Sequence, residues 1–252
     1  MFEAELEAAI AAAREAGDEV VQLRRNGLRY GHKAGRELVS EADLHAAELL
    51  YERLAKRFPG VGWLSEEHRD TADRLRCDRV WVVDPIDGTR EYLMGLPEYA
   101  ISVALVVEGE PALGVVYNPA TGELRAAGCW DAQERPPGEA RDGFEVLVGR
   151  GEHGYDDLPP LPRDARSRGI GSVAYRMSLL AAGTGDAVLT GYGRAEWDVA
   201  AGAALCRAAG LRVTDAPGAR LRFNQEDPYV RGLLVAEPGL HQRIRHYWDL
   251  VT

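Results

Sequence analysis

Apolar residues recur at helical spacing through residues 3–25, where Leu6, Ala9, Ile10, Ala13, Val20 and Val21 are interleaved with Glu and Arg. That period predicts an amphipathic helix with one buried face. The polar, glycine-containing stretch 26–39 reads as a turn or short hairpin. Ser40 opens a second predicted helix to about residue 57. Leu44, Ala47, Leu54 and Phe58 form its expected buried stripe, and Pro59-Gly60 stops it.

The pattern then changes period. Residues 61–64 form a short strand candidate that ends at Ser65-Glu66-Glu67-His68. Residues 80–83 are a continuous apolar run, the pattern of a strand buried on both faces. Segments 101–107 and 112–117, joined by Glu108-Gly109-Glu110-Pro111, read as a hairpin, and another strand is expected near 123–127. Residues 131–143 are rich in Pro, Gly and charge and read as a surface loop. Beyond them the pattern predicts a strand at 144–148 and a loop-like stretch at 150–169. An Ala/Leu-rich helix runs from Gly171-Ser172 to about 182, then a strand at 187–190 and a helix at 197–209 ended by Gly210. A strand at 233–236 and a helix from Pro238 complete the chain. Helices first, then a meander of strands, then alternating elements imply layered α and β structure rather than a simple doubly wound sheet.

A chain of 252 residues can bury a full core, as one large domain or as two tightly packed halves. No run of about 18 uncharged apolar residues is present, so no membrane span is expected. The acidic start, Met1-Phe2-Glu3-Ala4-Glu5, lacks the basic-then-apolar order of a signal peptide, and a cytoplasmic address is expected. The net charge of -10 argues against a nucleic-acid polymer as partner, because the long-range field repels phosphate chains. A small phosphate ester stays open, since a bound cation inverts the local sign. Cys77, Cys129 and Cys206 are widely spaced and read as buried small residues or free thiols.

The candidate chemistry begins where the 80–83 run ends. Asp84-Pro85-Ile86-Asp87-Gly88-Thr89 places two carboxylates three residues apart around a proline-fixed turn, followed by Gly-Thr. Divalent metal and phosphate suit such a site. Glu66 and Glu67 follow a predicted strand, and Asp198 lies at a helix start in Glu196-Trp197-Asp198. Asp43 stands three residues after Ser40, the spacing of a capping box. Each has an ordinary reading alone: turn composition, solvated pair, dipole-favouring acid, cap. Asp43 reads equally as a cap and as support for chemistry. Asp84 directly follows the apolar run, where a lone carboxylate is costly unless a metal partners it.

Taken together, Ser65-Glu66-Glu67, Asp84-Pro85-Ile86-Asp87-Gly88-Thr89 and Glu196-Trp197-Asp198-Val199-Ala200-Ala201-Gly202 resemble the motifs of the inositol monophosphatase superfamily, in its order and at its spacing. The resemblance covers nearly the whole chain. It implies an α/β, five-layered αβαβα sugar-phosphatase fold and a single catalytic domain over 1–252, with halves meeting near 143–144. It also implies Mg²⁺-dependent phosphomonoesterase activity, two or three Mg²⁺ per site, and a homodimer. Glu66, Asp84 and the Ile86 carbonyl would hold one Mg²⁺. Asp84, Asp87 and Asp198 would hold a second, and a weaker third would sit near Glu66. Thr89 and Glu66 would orient or activate the attacking water, with Asp43 supporting Thr89. The Gly88 and Thr89 N–H groups would bind phosphate.

Within the superfamily, Asp87-Gly88-Thr89-Arg90-Glu91-Tyr92 and Glu196-Trp197-Asp198 resemble the CysQ-like 3'(2'),5'-bisphosphate nucleotidases. Adenosine 3',5'-bisphosphate is therefore the first expected substrate. Inositol 1-phosphate or a broad range of sugar phosphates is the alternative, although Gly191 stands where the inositol branch tends to carry an acidic residue. Lys33 reads as a substrate contact or a solvated loop lysine. Arg176 reads as a contact to a second phosphate or as a solvent-facing residue. Tyr92 and Tyr99 read as packing residues or as an adenine shelf. A non-catalytic partner of transcription or ribosome factors is the reading from another class, and the intact acidic set argues against it.

Overall fold

The first helix, α1 (Glu3–Arg25), has the limits its periodicity predicts. It leads through a small hairpin, β1 (Tyr30–His32) and β2 (Leu38–Ser40), into α2 (Glu41–Leu54). Next come β3 (Gly62–Ser65), a 3-10 turn at Ala72–Arg76, β4 (Arg79–Asp87) and a short helix, α3 (Thr89–Met94). The meander β5 (Ala100–Val107), β6 (Glu110–Asn118) and β7 (Glu123–Gly128) follows. The second half contains β8 (Phe144–Gly149), β9 (Ala165–Ile170), α4 (Val173–Ala181), β10 (Ala187–Thr190) and β11 (Arg194–Ala195). It ends with α5 (Glu196–Ala208), β12 (Arg212–Thr214), β13 (Tyr229–Val230), β14 (Leu233–Ala236) and α6 (Pro238–Val251). The structure is a computed structural model that describes residues 2–27, 30–32, 38–131, 142–152, 158 and 160–251. Most of the predicted 131–143 loop lies outside the described residues.

These elements stack in five layers, αβαβα. A five-stranded sheet ordered β3-β4-β5-β6-β7 pairs β3 with β4 in parallel and the other neighbours antiparallel. Along β4 the side chains alternate between faces, as a strand requires. Trp81 and Val83 join the apolar cluster formed with α1 and α2. Val80 and Val82 join a cluster built on α4 and α5. The continuous apolar run is therefore buried on both faces. The same α4/α5 layer packs against a second sheet, β12-β14-β10-β8-β9, through Leu147, Val188 and Val235. The far face of that sheet is closed by Ile244 and Trp248 of α6. A Cβ on Gly114 would overlap the Ala201 carbonyl, so this glycine lets α5 lie directly on β6. No helix among the described residues is long and apolar enough to cross a membrane.

Some sequence expectations need correction. The buried stripe of α2 is Ala42, Ala46, Ala47, Leu50 and Leu54, and Leu44 is 53% exposed. Small alanines sit inside because α1 lies close against this face, with its own Ala9, Ala12, Ala13 and Ala16 buried. The helix also ends at Leu54 rather than near residue 57. The stretch read as a loop at 150–169 contains the start of β9, an edge strand paired in parallel with β8.

Candidate active site

Two aspartates three positions apart on a regular strand point to opposite faces. Here Asp84 pairs with Ser102 and Asp87 with Ala100, so three steps on β4 oppose two on β5. The extra residue is a β-bulge over Pro85-Ile86. It turns the Ile86 side chain into the cluster under α1 and α2 and restores Asp87 to the face that Asp84 occupies. Asp198, in the first turn of α5, meets them there. Ligand oxygens of Asp84, Asp87 and Asp198 lie within 4.8 Å of one another. Glu66, just past the end of β3, and the Ile86 backbone border the same cleft of ≈ 400 Å³.

Each aspartate is fixed. Asp84 Oδ1 accepts the Ile86 N–H at 2.9 Å. Asp87 Oδ2 accepts the Ser172 hydroxyl at 2.5 Å and the Ala174 N–H at 2.6 Å, which ties β4 to the start of α4. Ser172 also caps that helix through Tyr175 N–H at 2.9 Å. Burial, then the charges of Glu66, Asp87, Asp198 and Asp43, push the Asp84 carboxyl well above the ordinary carboxylate range. Burial and then Asp87 do the same to Asp198, against the opposing Arg194 charge. Burial raises Asp87 less, because the Ser172 and Ala174 hydrogen bonds and Arg194 favour its charged form. Carboxylates so crowded stay ionised only beside a cation. An all-oxygen set of carboxylates and a carbonyl fits a hard divalent ion of the Mg²⁺ type.

Beside the cluster, Gly88 adopts φ +95°, a left-handed conformation that ends β4 and starts α3. A Cβ there would stand 3.0 Å from the Glu98 carbonyl. The turn delivers the Thr89 hydroxyl 2.9 Å from Asp43 Oδ1 and 3.1 Å from the Ile86 carbonyl. Asp43 uses its other oxygen, Oδ2, for the Ser40 N–H at 2.7 Å and the Ser40 hydroxyl at 2.5 Å. Asp43 is therefore both the N3 member of the capping box that Ser40 opens and the anchor of Thr89, where the sequence left the two readings as alternatives.

Arg176 does not face solvent. It is fully buried on α4, with its Nη1 3.5 Å from Glu152 Oε2. Burial lowers its pKa to about 10, helped by the neighbouring Arg194 charge. The guanidinium presents no surface to the cleft, because α4 is covered along most of its length by both sheets. Lys33 lies outside the described residues. Tyr92 and Tyr99 pack edge to face at 5.0 Å inside the core and form no shelf. Sequence reasoning missed Arg194, which borders the cleft beside Asp198, and the buried Glu152 whose Oε1 lies 3.5 Å from it. It also missed Tyr229, which stands 6.2 Å from Trp197 at the cleft wall. The adjacency of Arg194 to the Glu-Trp-Asp motif was the available signal.

The inositol monophosphatase family profile matches residues 2–250 of this chain. An inositol-1-monophosphatase of Mesorhizobium japonicum is 34% identical over 94% of this chain and 91% of that protein. The 3'(2'),5'-bisphosphate nucleotidase CysQ of Salmonella typhimurium is 30% identical over 89% of this chain and 96% of that protein. Among solved structures, the Thermotoga maritima IMPase superposes with a TM-score of 0.81 at 26% identity, covering 98% of this chain and 97% of its own.

Proposed function

The chain belongs to the inositol monophosphatase family, and from that premise we propose that it is a Mg²⁺-dependent phosphomonoesterase whose first substrate is adenosine 3',5'-bisphosphate, cleaved to AMP and phosphate. The observation that carries the reading is the convergence of Asp84, Asp87 and Asp198 within 4.8 Å beside a Thr89 hydroxyl anchored on Asp43. Glu66, Asp84, Asp87, Asp198 and the Ile86 carbonyl would hold the metal. Bound there, Mg²⁺ supplies charge neutralisation on the phosphoryl oxygens and a more acidic water.

The remaining roles fall to the chain itself. Thr89 has one hydroxyl proton, and Asp43 Oδ1 accepts it. The Thr89 oxygen then offers its lone pairs to a water proton and orients that water towards phosphorus. Asp43 is held by Ser40, so the Asp43–Thr89 unit enters the reaction already positioned. Glu66, at the cleft edge, takes part in orienting the same water. The first-turn N–H groups of a helix have no intrahelical acceptor, so those following Gly88 suit phosphate oxygens.

The rival substrate is inositol 1-phosphate, which the Mesorhizobium relative's name supports. Gly191 offers no side-chain acceptor for ring hydroxyls, and the cations beside the cleft favour the doubly phosphorylated ester. A homodimer and a cytoplasmic address belong to the same proposal. Phosphate release with Mg²⁺, comparing the two esters, tests it. A kcat/KM preference of about a hundredfold for the nucleotide, roughly 2.7 kcal/mol of differential transition-state binding, is expected. Equal rates or a preference for inositol phosphate would replace the nucleotidase reading. Absence of Mg²⁺-dependent release from either ester would overturn the phosphatase reading itself.

A further inference from the structure

Past Asp87 the metal cleft continues into a second cavity of ≈ 380 Å³, and Asp87, Gly88, Thr89, Arg90 and Arg194 border both. Two of the arginines there are otherwise placed. Arg90 is solvent-exposed at the rim, where water screens its charge. Arg150 forks onto Glu98 through Nε at 3.0 Å and through Nη2, and Glu98 also takes the Gly171 N–H. Arg194 differs. Its side chain is 28% exposed, and Nη2 is 3.5 Å from Glu152 Oε1. Its Nε is shut off from solvent without a hydrogen-bond partner.

The environment of Glu152 explains why Arg194 keeps spare capacity. The carboxylate is 2% exposed, accepts Gly149 N–H at 2.8 Å and Gly191 N–H at 3.1 Å, and faces Arg176 as well as Arg194 at 3.5 Å. One buried carboxylate thus stands between two guanidinium groups. Arg176 is the wholly enclosed member, so its charge has first need of that carboxylate. Arg194, whose charge also faces Asp87 and Asp198, is left with unused donors at the junction of the two cavities. A planar guanidinium fork matches phosphate oxygens in shape and charge.

We propose that Arg194 binds a second anionic group carried by the leaving group of the substrate, and that Glu152 and Arg176 are positioning residues that hold it at the junction. This rests on the phosphatase reading and narrows its substrate class to small bisphosphates, with one phosphate at the acidic cluster and the other in the second cavity. Arg176 serves such a substrate from inside, through Glu152, without touching it.

The test compares adenosine 3'-phosphate with adenosine 3',5'-bisphosphate, which differ only in the second phosphate, using the full-length protein with saturating Mg²⁺. Arg194→Gln should lower the bisphosphate-to-monophosphate ratio of kcat/KM by about thirtyfold, the scale of a lost charge-assisted pair, chiefly through KM. Glu152→Gln should lower the ratio several-fold in the same direction, because the amide keeps the shape but lacks the charge that holds the two guanidinium groups. Calorimetric binding of adenosine 5'-phosphate provides a readout independent of turnover, and Arg194→Gln should weaken it about tenfold or more. An unchanged ratio, or equal losses on both esters, would overturn the assignment of Arg194. If neither ester is hydrolysed, the phosphatase reading has failed. Binding of adenosine 5'-phosphate then decides Arg194 alone: a large weakening supports it and no change overturns it.

Discussion

Asp84→Asn should stabilise the metal-free protein while weakening its response to Mg²⁺. The substitution keeps the shape and leaves an oxygen for the Ile86 N–H, so packing barely changes. What it removes is charge. Two carboxylates whose oxygens lie within 4.8 Å repel by about 3.5 kcal/mol or more at an effective dielectric constant of about 20, and Asp84 has two such neighbours in the cluster. Proton uptake sets a ceiling on that cost. Protonating a carboxyl of ordinary pKa 3.8 at pH 7 takes about 4 kcal/mol, so the relief cannot exceed that value. The expected gain is about 3 kcal/mol, roughly 6–12 °C in Tm for a chain of this size. Thermal unfolding in EDTA and over a Mg²⁺ series measures both halves. Wild type should rise with Mg²⁺ by about 2.7 kcal/mol at a hundredfold excess over Kd, and Asp84→Asn should show little of that rise. A variant less stable than wild type in EDTA, or one with a full Mg²⁺ increment, would refute the view of this cluster as repelling ligands awaiting a cation.

Thr89→Val keeps the branched shape and deletes the hydroxyl. It should cut kcat by about a hundredfold or more with a smaller change in KM, and Thr89→Ser should recover most of the rate; a near-wild-type kcat in the valine variant would remove Thr89 from water orientation. Gly88→Ala must hold φ +95° and place a Cβ 3.0 Å from the Glu98 carbonyl, so a loss of about 1–3 kcal/mol in urea unfolding is expected, with turnover falling alongside; full stability would show that the turn can relax. His241 is buried with Nε2 2.8 Å from Thr214 Oγ1, and burial, then the Arg212 and Arg245 charges, lower its pKa from 6.5 to about 4. Its neutral form is the one that fits, so its contribution is complete above pH 6.5 and is lost as pH falls towards 4, by about 3 kcal/mol in total. His241→Gln should flatten that stretch of the Tm-against-pH curve, and an unchanged slope would exclude His241 as its source.

Long periodic segments and capped ends were readable in the residues. α1 and β14 keep their predicted limits, and Ser40 with Asp43 forms the capping box that the spacing suggested. The elements that escaped lack a pattern of their own. In β9, Ala-Arg-Ser-Arg-Gly-Ile has no apolar face, and only pairing with β8 makes it a strand. The α3 turn is too short for helical periodicity and exists because Gly88 reverses the chain. The acidic cluster was legible because strand end, turn and helix start each leave a local signature. The Glu152–Arg194 contact was not, since 42 positions separate its partners and Glu152 stands in a stretch with no periodic signal. The burial of Arg176 depends on layers contributed by both halves of the chain, which no local window contains.

The bulge at Pro85-Ile86 makes the acidic arrangement a matter of parity. Whether Asp87 shares a face with Asp84 is decided by counting residues between them modulo two, against the count on β5. Deleting one residue there would leave every carboxylate in the sequence and turn Asp87 towards α1 and α2, away from Ser172 and Asp198. A substitution in this stretch can be graded by the size of the side chain it changes. A change in length has no small version, so the spacing of this motif is as much a part of the candidate site as the acids it contains.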